Sequence, residues 1–247
     1  RVVYKPRSTA VGETLYAVLD RVGEQSGCPR VRTPTVWSRD GYGWVSHHEA
    51  APATDEAAVR RYYRRAGCLV AVGHLLGLTD CHHENVLSEG EHPVVVDAET
   101  ALSPAVPPAD SPRSTSVAGF IEETVLSTAL LPTDRMDPRG ELPRIGAFAA
   151  GFGAASERRA VDGETELGFR AVNTDLIRAT ERDQIIDRRD NTVTTDDGDH
   201  PPSAYADELT TGFERGYETL VELAGGAVEA SAGGLGASDG QLADLLA

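Results

Sequence analysis

Residues 78–100, "LTDCHHENVLSEGEHPVVVDAET", decide how the fold is read. Two aspartates, two adjacent histidines, an asparagine and several glutamates surround a bare run of valine. "NVLS" and "PVVVD" read as two short strands closed into a hairpin by "EGEH". Such a hairpin brings Asn85, where the first strand begins, beside Asp97, where the second ends. An asparagine oxygen and a carboxylate are hard oxygen ligands of the kind Mg²⁺ takes, while an aspartate such as Asp80 can orient or deprotonate a hydroxyl.

Asp80 and Asn85 have the spacing of the aspartate and asparagine in a kinase catalytic loop, and Asp97 follows at a strand end, where kinases keep a second metal ligand. A phosphoryl-transfer site also needs a cation on the phosphates. "VVYK" near the N-terminus supplies one at the end of a strand, and Lys5 is the single lysine of the chain. Separately, a DxxxxN pair recurs by chance, and "DAET" reads equally well as a strand end followed by a helix cap. Together, in this order, they point to phosphoryl transfer. His82, two residues after Asp80, can hold that aspartate or act as an acid or base near neutral pH. A zinc site from His82, His83 and Glu84 is not expected, because neighbouring side chains diverge in a strand or helix. No glycine-rich phosphate loop is visible, and "DAE" stands where a protein kinase has "DFG", so an ordinary protein kinase is not indicated.

Working outward, the segment from Thr54 to Gly77 predicts the longest helix, with Thr54 as its N-cap and a middle, "CLVAVGHLL", apolar nearly all round and therefore buried. "STAVGETLYAVLDRVGEQSG" predicts an earlier helix, and "TPTVWSRDGYGWVSHHE" a hairpin across Asp40-Gly41. "RVVYKPR" reads as a strand stopped by Pro6, and a chain opening inside a strand looks like a fragment. The proline-rich "SPAVPPADSPRST" reads as a loop, and "FIEETVLSTALLP" as a helix or as a strand and turn. Residues 157–199 are polar, glycine-rich and charge-dense, which predicts an irregular, mobile segment. "SAYADELTTGFERGYETLVELA" is again helical, and the residues after it carry too little bulk for a core.

Composition sets the outer bounds. The chain has 247 residues, with 39 acidic against 23 basic side chains. A net charge of −16 repels phosphate backbones and anionic lipid, so neither nucleic acid nor a membrane is an expected partner. Such a surface fits an acidic proteome. No apolar run approaches a membrane span and no signal peptide is visible, which predicts a cytoplasmic protein. The scattered cysteines Cys28, Cys68 and Cys81 indicate neither a disulfide framework nor a cysteine zinc site.

"VVYKPRS", "GYGWV", "YYRRAGCLVAVGHLLGLTDCHHENVLSEGEHPVVVDAETALSP" and "GFERGY" resemble the dehydratase domain of class II lanthipeptide synthetases, the LanM family. The likeness is strong over residues 1–104 and weaker beyond. It implies an α+β, two-lobed fold of lipid-kinase-like type: a partial N-lobe at 1–52 and a mostly helical C-lobe at 53–247. It also implies ATP- and Mg²⁺-dependent phosphorylation of serine and threonine in a leader-bearing precursor peptide, then phosphate elimination to dehydroamino acids.

By that resemblance Lys5 contacts ATP, Asp80, His82 and Asn85 form the family's DxHxxN, and Asp97 and Glu99 its DxE. Asp97 is then a metal ligand, and Glu99 a second ligand or an aid to proton transfer. The family's aspartate and histidine upstream of YKPR, its RxxxRxT elimination motif and its zinc cyclase domain have no counterpart here. No arginine follows Arg215. The expectation is therefore a fragment of a larger synthetase, or a shortened relative working with a partner chain or a separate cyclase. The alternatives are a phosphotransferase that never eliminates phosphate, and a degenerate module that only binds peptide.

Overall fold

The computed structural model describes residues 1–25, 27, 29–102, 124–132, 150–153, 159–171, 175–186 and 190–232. Strand β1 (Val2–Lys5) pairs antiparallel with β3 (Tyr42–Ser46), which also pairs with β2 (Val36–Arg39), giving the sheet order β1-β3-β2. Asp40-Gly41 turns β2 into β3, and Gly41 takes the left-handed φ of 78° that a tight hairpin turn needs. Helix α1 (Ala10–Gly23) follows β1 and buries Leu15, Tyr16, Val18, Leu19 and Val22, one apolar face at helical spacing.

Helix α2 (Glu56–Leu75) is buried on every side from Ala66 to Gly73, as its apolar middle predicts. Its N-cap is Asp55 rather than the expected Thr54: the Asp55 carboxylate accepts the Ala58 N–H at 2.7 Å. An ionised oxygen there also favours the positive end of the helix, which a hydroxyl does less strongly. After a short 3₁₀ turn (Pro202–Tyr205), helix α3 (Ala206–Ala232) crosses α2 at contact distance. A Cβ on Gly67 would overlap the Leu209 carbonyl, and one on Gly212 the Arg64 carbonyl, so the two backbones meet where both lack side chains. One continuous cluster of buried side chains joins α1, α2, Val86 and Val95, and reaches Tyr205 and Leu220.

Strands β4 (Val86–Glu89) and β5 (His92–Val95) form the expected hairpin, with Val86 opposite Val95 and Glu89 opposite His92. In the next apolar stretch Val125–Thr128 form a 3₁₀ turn, and residues 120–123 lie outside the described residues. The proline-rich loop from Ser103 and the residues beyond 232 lie outside the described residues.

The prediction that residues 157–199 are irregular is corrected. Arg159–Arg170 and Arg178–Ile186 pair as the antiparallel strands β6 and β7, and Thr194–Thr195 pairs with Gly198–Asp199 as β8 and β9. Strand pairing needs only backbone groups, so a polar, charged composition does not forbid it. The stretch 190–194 is also stitched into the core: Ser88 N–H donates to the Asp190 carbonyl at 2.7 Å, Ala53 N–H to Thr194 at 2.7 Å, and Asn191, Thr192 and Val193 are buried. Among the described residues, no helix is long and apolar enough to cross a membrane.

Candidate functional site

The loop after α2 is fixed by its backbone. Gly77 (φ 62°) ends the helix, Leu78 N–H returns to the Gly73 carbonyl at 2.8 Å, and Cys81 N–H donates to Thr128 at 3.1 Å. His82 forms an isolated antiparallel bridge with Ala150. Asp80 projects into solvent on this frame. The Asn85 amide Nδ2 donates to the Asp80 carbonyl at 2.7 Å, which spends the donor end of the side chain on the loop and leaves the amide oxygen for a cation. His82 Nδ1 accepts the Glu84 N–H at 3.2 Å, so the ring proton belongs on Nε2, 3.6 Å from Asp80 Oδ1. That is an ion-pair distance when the ring is protonated, and longer than a hydrogen bond.

Strand β5 delivers the second half. Val96 N–H donates to the Asn85 carbonyl at 2.9 Å, so Asn85 and Asp97 are neighbours across the open end of the hairpin, as expected. The buried Tyr16 hydroxyl donates to the Val95 carbonyl at 2.9 Å and ties α1 to that strand end. Burial, helped by the Asp97 charge, pushes the Tyr16 phenol well above its ordinary value, so the hydroxyl keeps its proton for this bond.

Here Lys5 meets Asp97. Its Nζ lies 2.9 Å from Asp97 Oδ2, both side chains being about four-fifths buried, and Arg7 Nη2 reaches the same oxygen at 2.6 Å. Arg7 Nε forms an ion pair with Glu99 Oε2 at 2.7 Å. Burial raises the Asp97 carboxyl, but hydrogen bonds and charge from Lys5 and Arg7 outweigh it and hold the group below its usual range. Asp97 is thus an anion at neutral pH. These residues line a shallow cleft open to solvent, whose walls include Gly12 and Tyr16 of α1.

The donors suit a hard dication: a carboxylate kept ionised at Asp97, an amide oxygen at Asn85, and a second carboxylate at Glu99. Both cations sit on Oδ2 of Asp97, and no hydrogen bond among the described residues reaches its Oδ1. Asp80, His82 and Asn85 do not line this cleft; Asn85 joins its wall through the Val96 N–H, and Asp80 and His82 through the loop before it. The expectation that His82, His83 and Glu84 diverge is corrected: each offers a ligand atom within 4.8 Å of the others, because they lie in a turn rather than a regular strand or helix.

The family model described as "Domain of unknown function (DUF4135)" matches residues 1–233. The chain belongs to the DUF4135 family. This DUF4135 chain is also similar to the lacticin 481/lactococcin biosynthesis protein LcnDR2 of Lactococcus lactis subsp. lactis, with 28% identity over 185 residues. That match takes in 73% of the chain and only 19% of the relative, so the DUF4135 chain corresponds to about a fifth of LcnDR2. Both findings agree with the resemblance carried by the YKPR, DxHxxN and DxE residues. Sequence reasoning missed Arg7. No local pattern signals it: β1 ends at Lys5, the chain bends at Pro6 and Arg7, and the fold carries the guanidinium to Asp97 and Glu99.

Proposed function

We propose that this chain supplies the phosphoryl-transfer part of a lanthipeptide dehydratase, which phosphorylates serine and threonine of a leader-bearing precursor peptide with ATP and Mg²⁺. The observation that carries the reading is the pairing of Lys5 with Asp97. It joins the single lysine of the chain, on β1, to the carboxylate 92 residues later at the end of β5. The name of LcnDR2, a biosynthesis protein for lacticin 481, points to the peptide substrate. In this reading the two-lobed, kinase-like division at residue 52 puts the nucleotide cleft between β1, α1 and the β5 end.

Mg²⁺ held by Asp97 and Asn85 would neutralise charge on the nucleotide phosphates. Lys5 adds a compact positive charge on the same side of the cleft. Asp80, exposed on its loop, orients the peptide hydroxyl and takes its proton. His82, with its Nε2 proton turned towards Asp80, steadies that carboxylate. Glu99 serves as a second cation ligand or assists proton transfer when phosphate leaves. Elimination draws on the RxxxRxT residues of a complete synthetase.

The test is the intact mass of a precursor peptide after incubation with the full-length protein, ATP and Mg²⁺. Loss of one water per modified residue supports the dehydratase. Phosphate gained and retained limits the function to phosphotransfer, and an unmodified peptide that binds regardless of ATP or Asp80→Asn makes it a binding module.

A further inference from the structure

Among the described residues, Arg7 alone bonds both carboxylates of the "DAE" strand end, through Nη2 to Asp97 and Nε to Glu99. A guanidinium carries its donors in a fixed fork and can span two anions, whereas Lys5 reaches one. One guanidinium reaches both carboxylates, at 2.6 and 2.7 Å, so the two negative charges lie close enough to repel. Arg7 removes that repulsion when no other cation is present. Its side chain is 45% exposed, so it can leave without unpacking the core.

A dication on Asp97 and Glu99 would neutralise the same charges and repel a guanidinium sharing them. Arg7 lines the cleft beside Lys5, and phosphate oxygens entering that cleft offer the same bidentate acceptor geometry as the carboxylates it would leave.

We infer that Arg7 is an exchangeable guanidinium of the nucleotide site: it holds Asp97 and Glu99 together while no metal is bound, and passes to the nucleotide phosphates when a divalent cation takes the carboxylates. The inference rests on reading the cleft as a Mg²⁺-nucleotide site.

The test uses Arg7→Met and Arg7→Lys in the full-length protein, with two titrations. Mn²⁺ alone is followed by its paramagnetic resonance signal, and ATP with Mg²⁺ by calorimetry. Arg7→Met should bind Mn²⁺ several-fold more tightly, because a competing cation is gone, and ATP with Mg²⁺ roughly tenfold more weakly, because a charged phosphate contact is lost. Arg7→Lys keeps the charge without the fork and should shift both affinities the same way by less.

A purely structural Arg7 would weaken both together. Unchanged or weaker Mn²⁺ binding by Arg7→Met, or unchanged ATP binding, overturns the inference. Asp97→Asn is run alongside: if the wild-type protein binds no ATP, or binds it independently of Asp97, the underlying reading fails instead.

Discussion

At the turn of the β4–β5 hairpin, Glu89 and Glu91 are met by Arg32, Arg61, Arg65 and His48; at its open end, Asp97 and Glu99 are met by Lys5 and Arg7. The chemistry is the same, carboxylates against arginines, but the settings differ. At the turn one cation also holds backbone: Arg65 donates from Nε to the Arg30 carbonyl and from Nη1 to the Glu91 carbonyl, both at 2.9 Å. Arg32 and Arg61 bind carboxylates only, so Arg65 is what fastens this cluster to main chain. At the open end the cations bind only side chains, share one oxygen of Asp97, and face a cleft. Paired charges that also hold main chain stabilise the fold, whereas those that hold only each other at a cleft are available for exchange.

The sharpest way to break this contrast is Asp97→Asn. In the full-length protein it should weaken calorimetric ATP binding in Mg²⁺ by about a hundredfold or more, as a metal ligand is lost, with a small change in melting temperature. A large loss of stability with binding intact would reverse the contrast. Arg65→Met at the turn should do the opposite. Urea unfolding should show a loss of about 2–3 kcal/mol, from two carbonyls without their donor and a carboxylate left to Arg61 alone, with ATP affinity unchanged.

A further difference appears with pH. His92, at the turn, has its ring pKa lowered to about 4, mainly by burial and then by Arg65 and Arg32. In the unfolded chain the ring titrates near its ordinary 6.5, so between these values the unfolded state binds the extra proton. Stability should therefore fall as pH drops from about 6.5 to about 4, and His92→Gln should flatten that part of the curve. Glu89, Glu91 and Asp97 act lower: partner charges outweigh burial and depress all three, so their contribution is lost only as pH falls through their folded values. The smallest effect belongs to Glu49→Gln. Its pair with Arg1 is exposed on both sides, and its removal should cost under about 0.5 kcal/mol by urea unfolding.

The sequence made the hairpin legible because two short apolar runs flank a glycine turn, and the register that turn sets brings Asn85 beside Asp97. It made α1 and α2 legible because their apolar spacing is helical, although Asp55 rather than Thr54 proved to be the cap. The strands at 159–186 were missed because composition speaks to burial, while pairing draws on backbone groups that every residue carries. The meeting of Gly67 with Leu209 and of Gly212 with Arg64 is a tertiary fact with no local trace. Arg7 was hidden for a different reason. Its partners lie 90 and 92 residues away, and only the fold brings Asp97 and Glu99 to it.

In the proposed function Lys5, Asn85 and Asp97 form a metal-dependent nucleotide site. Calorimetric titration of ATP into the full-length protein, with Mg²⁺ and then with the metal chelated, tests this most directly. Binding should be saturable in Mg²⁺ and lost on chelation. Equal binding in both conditions, or none in either, would contradict such a site.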